Sequence, residues 1–446
     1  MPFSDNTFPQ DIWAEILAFC PQQSLVVLAR VSPFLRTQAH TLLLRTVGTK
    51  HSIDHNEDFL GIIYNLPVFY QVLTRDDIDW KRLIRVIRLD WLDEPVEEGG
   101  KDVLVGKKRP IADHLVFKIA LLLSECTRLR EFHLNLSSLA NVTAMLKDDL
   151  PPITSLEFSL PHRYAWEDIY RAFELPVIKR LVMRNILSPD RPAFRFPVPI
   201  PDALHDKHDI SNVQELYLLE SGPLIQAMSP LFRWPKKLKK LDYSPVRSKC
   251  EPYWRGILRR TGDISDAVDA AIDVLAPLRL SLQVLKFDLG LGRHWILPFR
   301  TGELFQPFVN LSSLDVPVEL LLHSRGLSQS RLCYPFYIGL PNSLRQLTLR
   351  FTILTSWHPR PSQLDLDADN CLASDPAHRL FDELSMIAMQ KEEHFPGLRE
   401  LTLLADGEKP FLVRCDHVVQ SLTDLESSGI HVVQSDWCRR PEEMWI

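Results

Sequence analysis

An irregular α/β solenoid with three short helices at its N-terminus is the architecture the sequence predicts, on three observations. The first forty-odd residues place apolar side chains at helical spacing between prolines. Beyond residue 80, a six-residue strand pattern, apolar-x-x-apolar-x-apolar, recurs ten times. Segments with helical periodicity precede several of those patterns.

In the N-terminal segment, Pro9 suits a first helical position, where its missing N–H costs nothing, and Asp11 puts negative charge in the first turn. Ile12, Ile16, Leu17 and Phe19 are expected on one face of this helix, which Pro21 ends. A second helix is expected from about Ser24, with Leu25, Leu28 and Val31 spaced three apart. Ser32-Pro33 reads as an N-cap followed by Pro at the first helical position, opening a third helix through Leu35, Ala39, Leu42 and Leu43. Three helices this short bury little surface, so an apolar face left over calls for a partner.

The strand pattern falls at Ile84/Ile87/Leu89, Leu129/Phe132/Leu134, Ile153/Leu156/Phe158, Ile178/Leu181/Met183 and Val213/Leu216/Leu218. It continues at Leu238/Leu241/Tyr243, Leu282/Leu285/Phe287, Leu311/Leu314/Val316, Leu344/Leu347/Leu349 and Leu398/Leu401/Leu403. Spacings of 24, 25 and 25 residues separate 129 from 153, 153 from 178 and 213 from 238. Other intervals run from 29 to 54 residues, so the solenoid is irregular. Helices are expected over 111–126 and from Asp375-Pro376 through Leu380, Leu384 and Ile387. The pattern resembles the strand half of a leucine-rich repeat, in which alternate side chains enter the core and the others line a concave, horseshoe-shaped sheet. Stretches rich in Pro, Gly and charge at 89–110, 187–212, 244–262 and 355–375 read as loops, with Pro189–Pro201 extended.

Residue chemistry narrows the function classes. A net charge of −6 gives no reason to expect nucleic-acid binding. Lys107-Lys108-Arg109 and Lys236-Lys237-x-Lys239-Lys240 are local basic patches, read as solvated surface. Neither a signal peptide nor a transmembrane helix is expected, and the seven scattered cysteines, with no C-x-x-C pair, read as reduced thiols. No cofactor or metal site is expected. The run Gly99-Gly100 to Gly106-Lys107-Lys108 has the wrong spacing for a phosphate loop, and Gly290-Leu291-Gly292 lacks a third glycine. Asp365-x-Asp367-x-Asp369 imitates a calcium loop but has Asn370 where Gly is needed and Pro376 where Glu is needed. His51/His55 and His205/His208 have no acidic or Cys partner at ligand spacing.

Along its N-terminal 45 residues the chain resembles an F-box: Pro, an acidic residue and Ile, then Ile-Leu, Pro, Leu-x-x-Leu, Val-Ser and Arg occur in that order at residues 9–36. It departs from the family with Phe8 where Leu is usual, Cys20 before Pro21 where Leu is usual, and Leu35 where Trp is favoured. As a whole it resembles the fungal, mushroom-type F-box proteins, with an F-box over 1–45, a helical linker over 46–80 carrying a helix near Phe59–Leu73, and a degenerate leucine-rich-repeat-like domain over 81–446. The resemblance implies a non-catalytic subunit of an SCF-type cullin-RING ubiquitin ligase, cytoplasmic or nuclear, that recognises a protein substrate. The alternative is a scaffold that binds its partner outside any ligase. The resemblance implies that Pro9, Ile12, Ile16, Leu17, Leu25, Leu28 and Val31 stand at positions that face the Skp-type adaptor, and through it cullin, or that form the module's core. For the substrate, alternation along each strand directs Arg88, His133, Glu157, Val182, Tyr217, Asp242 and Lys286 outward, followed by Asp315, Thr348 and Thr402. Tyr217, between Val182 and Leu219 in an apolar centre, is the expected hot spot.

Overall fold

The computed structural model describes residues 10–49, 62–64, 70–71, 74, 80–90, 125–135, 153–160, 166–186, 200–261, 265–290, 304–321, 336–351, 376–405 and 416–434. Two compact units divide the chain. The first comprises Met1–Ile186 with Ile210–Val213, and the second Leu187–Asp209 with Gln214–Ile446. Both are α/β, each with a parallel sheet that is not closed into a barrel.

The first unit opens with helices α1 (Gln10–Ala18), α2 (Gln22–Leu28) and α3 (Pro33–Leu43). The Ser32 hydroxyl accepts the Leu35 N–H at 3.1 Å, and Pro33 takes the first helical position, as the sequence implies. Leu17, Leu25, Ala29, Leu35, Ala39 and Leu43 form a common core, with Trp13, Cys20, Leu28, Phe34 and Leu42 packed against it. The sheet follows: β1 (Thr46–Thr49), β2 (Ile62–Tyr64), β3 (Val86–Asp90), β4 (Glu131–Asn135), β5 (Ser155–Ser159) and β6 (Arg180–Arg184), in the order β2-β1-β3-β4-β5-β6. A short helix, α4 (Trp80–Leu83), precedes β3, and α5 (Trp166–Glu174) buries Trp166, Ile169, Ala172 and Phe173 between β5 and β6. Here the structure departs from the expected helical linker. Residues 62–64 pair in parallel with β1, while Tyr70 and Gln71 are helical. The helix expected over 111–126 lies almost wholly outside the described residues, as do Pro9, Asp11's side chain and the carboxylate run at 365–369.

In the second unit seven strands lie side by side in chain order: β7 (Glu215–Ser221), β8 (Lys240–Pro245), β9 (Val284–Phe287), β10 (Ser313–Pro317), β11 (Gln346–Phe351), β12 (Glu400–Ala405) and β13 (His431–Gln434). Helices α6 (Arg247–Thr261) and α7 (Ser265–Asp273) connect β8 to β9, α8 (Pro376–His394) precedes β12, and α9 (Asp416–Ser427) precedes β13. Parallel neighbours require such crossovers, because a tight turn cannot bring the chain back to the same end of the sheet.

Both sheets are in register, so identical positions of the repeated pattern stack. Ile87, Phe132, Leu156 and Leu181 form one row of the first unit. Leu216, Leu241, Leu285, Leu314, Leu347, Leu401 and Val432 form the matching row of the second. Every apolar position of the ten patterns is buried, and full burial of one such side chain contributes roughly 1.5–3 kcal/mol. Polar side chains tie successive repeats where the strands begin: Asn310 Nδ2 donates to the Leu280 carbonyl at 2.7 Å and Ser343 Oγ to that of Leu311 at 2.7 Å.

Two buried aromatics bind their surroundings by hydrogen bonds. Trp254 Nε1 donates to the Leu289 carbonyl at 2.9 Å, and the Tyr243 hydroxyl donates to that of Gly222 at 2.7 Å. Tyr243→Phe leaves the buried Gly222 carbonyl unmatched and is expected to cost about 1–3 kcal/mol. Equilibrium urea unfolding checks this: a lower midpoint at unchanged slope is expected, and an unchanged midpoint would show that the bond contributes nothing.

Candidate functional site

Two surfaces present the side chains from which a binding function can be built. The first is the outside of the three-helix module. On α1 and the two residues that follow it, residues 13, 17 and 20 face the core, whereas Ile12, Ile16 and Phe19, also four and three apart, face out with 41%, 45% and 90% exposure. The expectation of one shared apolar face is therefore corrected. Leu17 belongs to the interior stripe, and the other three form a second stripe one residue out of phase. Helix α2 ends at Leu28, so Val31 lies beyond it and is exposed, together with Val26 and Val27. Of the residues matched to the F-box pattern, Ile12, Ile16 and Val31 are thus available to a partner. Leu17 and Leu25 are buried, Leu28 is half-buried against the core, and Pro9 lies outside the described residues.

The second surface is the outward face of each sheet. In the first unit, Arg88, His133, Glu157 and Val182 occupy one row, as alternation requires. Val182 nevertheless corrects the expectation for it: at 2% exposure it is closed off from any partner. The row carries an ionic chain. His133 Nδ1 lies 2.7 Å from Glu157 Oε2, and because a carboxylate can only accept, the imidazole donates this proton. Arg184 Nε donates to the other oxygen, Oε1, at 2.7 Å. His133 Nε2 sits 3.6 Å from Glu131, too long for a hydrogen bond but close enough for charge attraction.

Burial by itself would raise the Glu157 pKa, but the bonds and charges of His133 and Arg184 outweigh it and hold the carboxyl at about 2. For His133, burial opposes the charged form, but the flanking Glu131 and Glu157 overcome it and the net shift is upward. Glu131 in turn is lowered, chiefly by His133.

In the second unit the equivalent row runs Tyr217, Asp242, Lys286, Asp315, Thr348, Thr402 and Val433. Tyr217 is half-buried. Its hydroxyl donates to Glu215 at 3.0 Å, and the Lys240 ammonium stands 5.2 Å from its ring centre. Lys286 lies 3.4 Å from Asp242. Arg350 reaches across two strands to Asp315 at 2.7 Å and Asp288 at 3.1 Å. Burial raises the Asp315 carboxyl despite this pairing. Arg184 and Arg350 were not among the sequence candidates. Each stands two residues beyond a predicted outward position, so one further step of the alternation reaches them.

These surfaces position hydrogen-bond donors, charges and apolar side chains without gathering a nucleophile and base. Among the described residues, no group of three or more His, Cys, Asp or Glu could hold a metal ion, and no helix is long and apolar enough to cross a membrane. The class the structure defines is an α/β protein of stacked parallel strands with a short N-terminal helical module. No protein-family model matches the chain, and no curated protein matches it significantly.

The His133–Glu157 pair has a pH signature. Glu157 is depressed from an ordinary value of 4.5, so its contribution is complete above that value and is lost as pH falls towards 2. His133 is raised from 6.5, so its contribution is complete below 6.5 and is lost as pH rises through its folded value. The stability advantage of wild type over Glu157→Gln is therefore expected to peak at about pH 5–6 and to shrink on both sides. Urea unfolding of both proteins from pH 3 to 9 (roughly the accessible range) measures it, and a difference flat with pH would contradict the pairing.

Proposed function

We propose that this chain is a substrate-recognition subunit of an SCF-type cullin-RING ubiquitin ligase. The observation that carries the proposal is the division of apolar side chains in the N-terminal module. Leu17, Leu25, Leu35, Ala39 and Leu43 already close a core, yet Ile12, Ile16, Phe19, Val27 and Val31 remain exposed within twenty residues of one another. A module with its core satisfied gains nothing by presenting these side chains to water, and exposed apolar clusters are a mark of interaction sites. They fall in the segment whose residue order resembles an F-box, which supports a Skp-type adaptor as the partner.

On this reading, the outward sheet rows recognise a protein substrate. Tyr217 is flanked by Lys240 and Glu215, so it offers an aromatic surface with charge on either side. The subunit's contribution to the reaction is proximity. It holds a substrate where the ligase's other components supply the ubiquitin chemistry, raising the local concentration of an acceptor lysine without a catalytic group of its own.

Co-expression with a fungal Skp-type adaptor followed by size exclusion tests the proposal. Wild type is expected to co-elute. Ile16→Asp, at an exposed position that leaves the core intact, is expected to weaken binding by at least tenfold while the chain keeps its circular dichroism, since burying an unpaired carboxylate at an interface costs more than about 1.4 kcal/mol. A folded wild type that fails to co-elute would overturn the ligase reading and favour a scaffold whose helical module has another partner.

A further inference from the structure

The second unit holds a cavity of about 630 Å³ built from residues 208–209, 232–239, 277–283 and Asn310, the last three segments leading into β8, β9 and β10. Its floor includes Phe232 and Leu278, both buried, and its walls carry Arg233, Lys236, Lys237 and Lys239 against a single carboxylate, Asp209. The lysine run seen in the sequence is thereby divided. Lys236, Lys237 and Lys239 line this cavity, whereas Lys240 turns to the Tyr217 ring on the sheet face.

The charge here is not matched, whereas several cations elsewhere in the same unit are. Lys286 pairs with Asp242, Arg350 with Asp315 and Asp288, Arg255 with Glu251 and Arg279 with Asp273. Among the described residues, none of the four cavity cations forms an ion pair. In a chain of net charge −6, four exposed cations have collected around one cleft. Their mutual repulsion is relieved by an anion between them, and low-dielectric walls such as Phe232 and Leu278 strengthen that attraction. The walls are also anchored. The Asp209 N–H, in a left-handed conformation with φ 53°, donates to the Arg233 carbonyl at 3.1 Å, and the Lys239 N–H donates to that of Gln214 at 2.8 Å.

We propose that this cavity binds a small soluble molecule carrying two or more phosphate groups. Its volume lies in the range of small-molecule sites. Four separate cations suit several phosphates better than one, because a single phosphate monoester carries no more than two charges. Lysines act here as point charges that tolerate varied phosphate orientations, with Arg233 able to bind one phosphate through two N–H groups. The proposal does not rest on the ligase reading.

Isothermal titration of the full chain with inorganic tripolyphosphate tests it, with a singly phosphorylated serine peptide as the second arm. Saturable one-to-one binding of tripolyphosphate is expected, weakened by salt and at least about tenfold tighter than the peptide. Lys237→Glu and Lys239→Glu, both at exposed positions, are each expected to weaken it roughly tenfold. Arg259→Glu, an exposed cation outside the cavity, should change it less than about twofold. Ile16→Asp should leave it intact, which separates this proposal from the adaptor reading. Circular dichroism confirms that each variant is folded. No saturable binding by folded wild type, equal binding by all variants, or tighter binding of the peptide would each overturn the proposal.

Discussion

Each described strand takes its ladder bonds from parallel neighbours in a common register, so the parity of a residue in its strand decides which face it joins. One parity builds the stacked apolar rows that close the core. The other is left to form continuous rows of whatever chemistry the sequence places there. A one-residue slip in any strand would exchange the two sets, turning Leu285 or Leu347 to the outside and a charge to the inside. The bulge between Leu219 and Ser221, with Glu220 at φ 53°, falls near the end of β7, beyond both apolar positions of that strand, so it leaves the stacked core untouched.

The same geometry explains why the outward faces are ionic networks rather than scattered charges. Parallel neighbours hold equivalent positions about one strand spacing apart, so His133 meets Glu157 and Asp242 meets Lys286 without any contribution from loops. Long side chains extend this reach: Arg184 links back to Glu157, and Arg350 spans to Asp315 and Asp288. Such faces are held rigid by their own pairing. That makes them suitable as a preorganised binding surface, and it sets them apart from the unmatched cations of the 630 Å³ cavity.

Much of this was legible in the sequence because parallel strands buried along a stacked row repeat a short pattern. All ten patterns are strands, Ser32-Pro33 opens α3, and Pro376 opens α8. Three strands escaped notice for specific reasons. In β13 only Val432 keeps the pattern, with Gly429 and Gln434 where the first and third apolar residues would stand, and β1 and β2 are too short to show a period. Helix α1 and the two residues after it carry apolar residues at both 12, 16, 19 and 13, 17, 20, so spacing alone does not tell the core stripe from the exposed one. Tertiary packing against α2 and α3 made that choice. Val182 shows the reverse limit, since its parity was read correctly but its burial depends on surroundings that a local pattern does not encode.

Hydrogen exchange of the full chain, with and without a Skp-type adaptor, addresses the function at the level of the module itself. The account requires slowed exchange over residues 10–31, where the exposed apolar stripe resides, with the strands of both sheets unchanged. Protection confined to the sheet strands, or none anywhere in a mixture with folded adaptor, would contradict it.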